Sequence, residues 1–254
     1  MTIFVFDGSF DGLLTAVFDA YSWRCFPDML VREGEVLPMF YDECRDVVTD
    51  EAKSSRVWRG LEKKLSRSAL SAVVASFLCE IPEYDTVLFR YIRKAIDSPV
   101  SIETDFSDAD VVEMTRMVRR VNGEAHRVKQ FVRFQKAADG SYFAVIEPLY
   151  NVLAIAMPHF VDRFSSMSFL LYDKRRGFGC YYDGKETRQV TLPEELPHIA
   201  TGRLPAEMMD DDELLLQDMW RTYFKAIAIK ERSNPRKQRQ DMPVRFWKYL
   251  TEKQ

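Results

Sequence analysis

Four side chains near the middle of this chain are of types that acid–base chemistry uses: Glu147, His159, Arg163 and Asp173. A positioned carboxylate or imidazole moves protons, and a guanidinium steadies the charge that develops. Glu147 stands beside Pro148 in IEPLYN, where it could instead hold Arg163 or Arg133 in an ion pair. His159 and Arg163 stand one turn apart in a helical stretch, and a lone histidine on an amphipathic helix is more often a structural residue. Asn151, in the same turn as Glu147, reads as a helix N-cap. Nucleophilic catalysis finds no frame here, because neither G-x-S-x-G nor H-E-x-x-H occurs. The four are candidates, and none is assigned as catalytic.

A second set of residues has the chemistry of nucleic-acid contact. In SDADVVEMTRMVRRVNGEAHRVKQ, helical spacing puts Val111, Met114, Met117, Val118, Val121, Ala125 and Val128 on one face. Arg116, Arg119, Arg120 and Arg127 fall opposite, as a phosphate-contacting stripe or as a solubilising face. YDKRRGFGCYYDG sets Lys174, Arg175 and Arg176 at a hairpin tip between tyrosines and phenylalanines. Cations meet phosphates and rings stack on unpaired bases, although strand alternation must bury part of this set. The closing stretch adds Arg236, Lys237, Arg239, Arg245 and Trp247.

These residues need elements to hold them. TIFVF followed by Asp7-Gly8 and FDGLLTAVFDAY reads as strand, turn and helix. A loop with Pro27 and Pro38 follows, then a short strand and a helix in RDVVTDEAKSSRVWRGLEKKLS. Two further helices lie on either side of Pro82, which is expected to end the first. Ser107 is the expected N-cap of the arginine-bearing helix. Asp139-Gly140 marks a hairpin, and SFLLYDKRRGFGCYYDGKETRQV a three-stranded meander. A Pro-rich, acidic connector, residues 192–212, leads to the helix DELLLQDMWRTYFKAIAIKE. Asn234-Pro235 is expected to end it. RKQRQDM then forms an exposed basic connector, and PVRFWKYL a short helix anchored by Phe246, Trp247 and Leu250. The expected class is α+β: several N-terminal helices packed with a largely antiparallel sheet of central hairpins, and a helical C-terminus. The N-terminal strand is expected to add to that sheet. One domain over residues 1–254 is expected, with a subdivision into a mainly helical 1–130 and a hairpin-bearing 131–254 as the alternative.

The bulk numbers fit a globular chain. Its 254 residues are 46% hydrophobic and 30% charged, with net charge −3, which argues against a wholly basic binder but leaves room for a basic patch. Cys25, Cys44, Cys79 and Cys180 form no C-x-x-C pair and suit a reducing compartment. With three histidines and no ligand spacing, neither a metal nor another cofactor is expected. No signal peptide or apolar span long enough for a bilayer is evident, so a cytoplasmic location without membrane contact is expected.

FDGSFDGLLTAVFDAY, VRFQ…YFAVIEPLYNVL…PHFVDRF, YDKRRGFGCYYDG and ERSNPRKQRQDMPVRFWKYLTE together resemble a bacterial DNA-repair or DNA-metabolism protein family. The likeness covers most of the chain and is thin at residues 30–60 and 190–215. It implies partnership with a radical-SAM protein, and fusion in some members to a uracil-DNA glycosylase domain. This chain has no C-x-x-x-C-x-x-C cluster motif and no G-x-D-P-Y or H-P-S-P-L glycosylase motif, so it is expected to be neither enzyme. The leading expectation is an accessory protein that binds DNA and the radical-SAM partner. The alternatives are an enzyme acting on a nucleobase or nucleotide, and a protein-interaction module without DNA affinity.

Overall fold

The computed structural model describes residues 1–193 and 196–253. Glu194 and Glu195, within the expected acidic connector, lie outside the described residues. The chain divides into two compact units, Met1–Val121 and Asn122–Gln254. Both are α+β.

The first unit begins with β1 (Thr2–Phe6), α1 (Phe10–Trp23), β2 (Met29–Arg32) and β3 (Glu43–Asp46). The strands form a parallel sheet in the order β2-β1-β3. Thus β1 does not join the hairpin sheet, contrary to expectation. Ile3, Phe4 and Phe6 are all almost fully buried, the continuous apolar run of a central parallel strand. Next come α2 (Glu51–Glu62), α3 (Arg67–Phe77) and α4 (Pro82–Asp97). Pro82 opens α4 at its first helical position, where the missing N–H is harmless, rather than ending α3. Leu13, Leu14, Val17, Leu61, Val73, Leu88, Phe89 and Ile92 make the core.

Asp7 closes β1 with three hydrogen bonds, from Ser9 N–H at 2.9 Å, Ser9 Oγ at 2.7 Å and Thr49 Oγ1 at 2.8 Å. Burial works against its charge, but these donors hold its carboxyl below the usual range. A Cβ on Gly12 would stand 2.2 Å from Asp7 Oδ1 and 2.9 Å from Thr49 Oγ1. Gly12→Ala is therefore expected to destabilise by about 1–2 kcal/mol, since overpacking strain exceeds the gain in helix propensity. A thermal unfolding midpoint equal to or above wild type would contradict this.

α5 (Ala109–Phe131) carries the chain from the first unit into the second, continuous through Gly123. Val111, Met114, Met117, Val121, Ala125 and Val128 are buried as their spacing predicts. Ser107 is not the cap. Its hydroxyl donates to Asp105, while Asp108 Oδ1 accepts from the N–H groups of Asp110 and Val111 at 2.8 and 3.3 Å.

The second unit contains β4 (Gln135–Lys136), β5 (Tyr142–Ile146), α6 (Leu153–Arg163), β6 (Phe169–Asp173), β7 (Phe178–Tyr182) and β8 (Thr187–Val190). They form one sheet in chain order, antiparallel except for the parallel pair β5–β6, which α6 connects. Both expected turns of the meander are present, and Asp139-Gly140 closes the β4–β5 hairpin. Val152, not Asn151, occupies the α6 cap position. On one sheet face Phe143, Val145 and Tyr172 pack with Ile199 and Leu204. Buried Gln135 spans to that layer, donating to Gly202 O at 2.8 Å and accepting from Leu204 N–H at 3.0 Å.

α7 (Pro197–Thr201), α8 (Glu213–Ala226) and α9 (Pro235–Asp241) complete the helices. Asn234 caps α9, so the expected connector is itself helical and Asn234-Pro235 starts a helix instead of ending one. Val244–Tyr249 forms a 3-10 helix, with Phe246 and Leu250 buried.

Candidate nucleic-acid interface

The end of α5 presents His126, Lys129 and Gln130, three and four residues apart and therefore on one face. The chain then leaves the helix through Val132, Arg133 and Phe134, and α6 brings His159, Phe160, Arg163 and Phe164. Together they line an open hollow of about 590 Å³. No carboxylate is among the lining residues, and Lys129 and Arg163 have no ion-pair partner among the described residues. Gln130 Nε2 lies 2.9 Å from His126 Nε2. Phe134 forms the floor, edge-on to Phe160, Phe164 and Phe169 at centroid distances of 5.7, 5.5 and 5.3 Å.

Arg133 and Phe134 are shared with two further hollows. One, of about 300 Å³, is lined also by Tyr142, Phe164, Met167 and Phe169. The other, of about 480 Å³, shares Tyr142 and adds Glu213, Leu216, Gln217, Trp220 and Thr251. Arg133 forks onto Glu252, with Nη2 2.7 Å from Oε1, and Trp220 Nε1 donates to the same carboxylate at 2.9 Å. The arginine is thus fixed as the wall between a cationic hollow and two aromatic ones. Burial works against the Glu252 charge, yet Arg133 and Trp220 hold its carboxyl below the usual range.

The four acid–base candidates separate into two groups. His159 and Arg163 line the cationic hollow. Glu147 and Asp173 stand at the carboxyl ends of the parallel strands β5 and β6, where Ile146 is level with Asp173. Glu147 pairs with Lys248, and with Lys174 at 3.5 Å, rather than with Arg163 or Arg133. Burial opposes its charge, but Lys248 keeps its carboxyl below the usual range. The Tyr249 hydroxyl approaches Glu147 without a well-aligned hydrogen bond. Burial and the nearby carboxylates push that phenol far above its ordinary range.

The expected nucleic-acid contacts divide by what holds their charge. Arg116 is well exposed beside Glu113, and Arg119 lines a shallow hollow of the first unit with Glu103. Arg120 donates to Tyr84 Oη at 2.8 Å. Arg127 lies 3.5 Å from Glu124 and remains half-buried. Arg175 is exposed and donates to Leu149 O at 3.2 Å. Arg236 and Arg239 are exposed on α9, where Lys237 pairs with Asp241 at 2.9 Å. Trp247 donates to Met242 O at 3.0 Å, with Lys253 Nζ 4.8 Å from its ring centroid. Two residues are engaged by internal carboxylates. Arg176 is nearly buried and bound to Asp173 at 2.8 Å and to the Pro148 and Leu149 carbonyls. Arg245 is spent on the fully buried Glu124. About a tenth of the Arg176 side chain and three-tenths of the Arg245 side chain stay exposed.

A family model described as a domain of unknown function, DUF4130, matches residues 82–252. The chain belongs to the DUF4130 family. Searches of curated proteins and of solved structures found no match. The DUF4130 match takes in α4 and α5 and every residue of the three hollows, so these are features of the matched region. Among the described residues the chain holds no metal-ligating cluster, its four cysteines are free thiols, and no helix is long and apolar enough to cross a membrane.

Proposed function

We propose that this DUF4130 protein binds single-stranded or locally unpaired DNA as an accessory protein of DNA repair or metabolism. One observation carries the reading. A hollow with His126, Lys129, His159 and Arg163, and no carboxylate among its described lining residues, adjoins across Arg133 and Phe134 two hollows rich in aromatic side chains, one of which also holds Glu213. Cations at such a junction take backbone phosphates, while the rings of Tyr142 and Trp220, which line the neighbouring hollow, take base faces. Stacking of this kind contributes about 1–3 kcal/mol per base. α9 offers further exposed basic residues, Arg236 and Arg239. The family resemblance supplies the repair context and the radical-SAM partner, which belong to the same proposal. The rival reading, an enzyme acting on a nucleobase or nucleotide, has less support because Glu147 and Asp173 are tied into internal ion pairs.

The test is fluorescence anisotropy with labelled single- and double-stranded oligonucleotides across a salt series. The double variant K129E/R163E should bind single strands at least ~10-fold more weakly, and its salt slope should fall by about 0.7 for each lost phosphate contact. Wild-type affinity and slope in the folded variant would rule out the hollow as the contact. Co-purification with the radical-SAM protein after nuclease treatment tests the partnership separately.

A further inference from the structure

α8 is amphipathic in the reverse of the usual sense, with most of its large apolar residues facing solvent. Leu215, Met219, Tyr223 and Ile227 recur every four residues and form one ridge, and they are 60%, 59%, 55% and 55% exposed. The opposite side of the helix meets the body through buried Glu213, which accepts from Lys136 N–H at 3.0 Å, and through Gln217. A soluble chain rarely leaves so continuous an apolar ridge uncovered unless something docks there.

The charges around the ridge indicate what does. Asp211 and Asp212 precede the helix, whereas Lys225 and Arg232 lie at and beyond its other end. None of the four has an ion-pair partner among the described residues. A second α8 laid antiparallel on the first brings each acidic end against a basic end. It also opposes the two helix dipoles and lets the every-fourth-residue ridges interdigitate. A two-fold axis makes the contact self-complementary, as closed dimers require. A parallel pairing would set aspartate against aspartate and cation against cation.

We infer that the chain forms a two-fold homodimer through the outer ridge of α8, Leu215–Met219–Tyr223–Ile227, in antiparallel register. This inference is independent of the DNA reading, because the ridge residues line none of the three hollows. Leu216 and Trp220, on the adjoining flank, do line one, so dimerisation would set two such hollows beside one interface.

Sedimentation equilibrium of the full chain over a range of concentrations tests this. Wild type should be a reversible dimer. Met219→Glu, at an exposed position that leaves the fold intact by circular dichroism, should raise the dimer dissociation constant at least ~30-fold, the effect of a central hot-spot residue. D211K/D212K and K225E/R232E should each weaken self-association, and an equimolar mixture of the two should re-form dimers. A wild-type monomer throughout, a dimer indifferent to Met219→Glu, or a mixture that stays monomeric would each overturn the inference. In the first case the ridge would be left to a different protein.

Discussion

Replacing Glu124 with leucine is expected to destabilise the second unit by about 3–5 kcal/mol, the cost of breaking a buried ion pair from one side. Its carboxylate is fully buried on α5 and ties that helix to two other segments. Oε1 accepts from Leu149 N–H at 2.9 Å, in the turn that follows β5. Oε2 accepts from Arg245 in the C-terminal 3-10 helix and lies 3.5 Å from Arg127. Leucine fills a similar volume, so the loss is one of pairing rather than of packing. The Leu149 N–H and the Arg245 guanidinium would both lose their acceptor, and Arg245 Nε already lacks one. Phe246, which packs on Phe131 at 5.4 Å between centroids, and the Lys248–Glu147 pair would remain to hold that segment. Glu124→Gln keeps one acceptor and should cost less. Urea unfolding followed by tryptophan fluorescence measures both, since Trp220 and Trp247 lie in this unit. A Glu124→Leu protein within about 0.5 kcal/mol of wild type would mean that the pair merely offsets its own desolvation. Arg245→Met alone and combined with Glu124→Leu gives the coupling, which should be well above the additivity error of about 0.5 kcal/mol.

The same two residues illustrate what could and could not be read from the chain. The apolar stripe of α5 was legible because burial follows a period that the residues themselves display. So were the β4–β5 hairpin and the meander, whose turns need Gly140, Gly177 and Gly184 at positive φ. β2 was hidden because its four residues lie in a loop-like context between Pro27 and Gly34. The sheet that β1 joins is a non-local choice, and only the unbroken apolar run hinted at a parallel centre. The ion pairs of Arg176 and Arg245 were not legible, because a sequence does not show which cations face a buried Asp173 or Glu124. The cationic hollow was assembled from three segments, and no single one announces it. Its traces were His126 with Lys129 and Gln130, and His159 with Arg163, at one-turn spacing on different helices. A search for paired helical faces with unspent cations would have found both halves, though not their meeting across Phe134.

Asp173→Ala is expected to cost as much as Glu124→Leu, about 3–5 kcal/mol, and with a distinctive pH dependence. Asp173 is fully buried at the end of β6. It accepts from Arg175 N–H at 3.0 Å and from Arg176 Nη1 at 2.8 Å. Alanine would take the carboxylate from Arg176, which also donates to Pro148 O and Leu149 O at 3.3 Å each, and would strand the Arg175 N–H. Burial pushes the Asp173 carboxyl above the usual carboxylate range, and Arg176 only partly offsets it. The native state therefore holds a proton at Asp173 more readily than the unfolded chain does. That contribution is fully present below the ordinary aspartate value near ~3.9 and declines as pH rises through the native value. The penalty of Asp173→Ala should accordingly shrink from acid toward neutral pH. Asp173→Asn, which imitates the protonated acid and keeps an acceptor for Arg175 N–H, should cost less than alanine. Glu147, held below the usual range, should act in the opposite sense, contributing at neutral pH and fading in acid. Denaturant unfolding of Asp173→Ala, Asp173→Asn and wild type at several pH values separates these effects. If alanine and asparagine cost the same, or if the alanine penalty grows with pH, then the Arg176 charge rather than burial governs Asp173. Its carboxylate would then be retained in the ionised form for the ion pair that orders the β6–β7 turn.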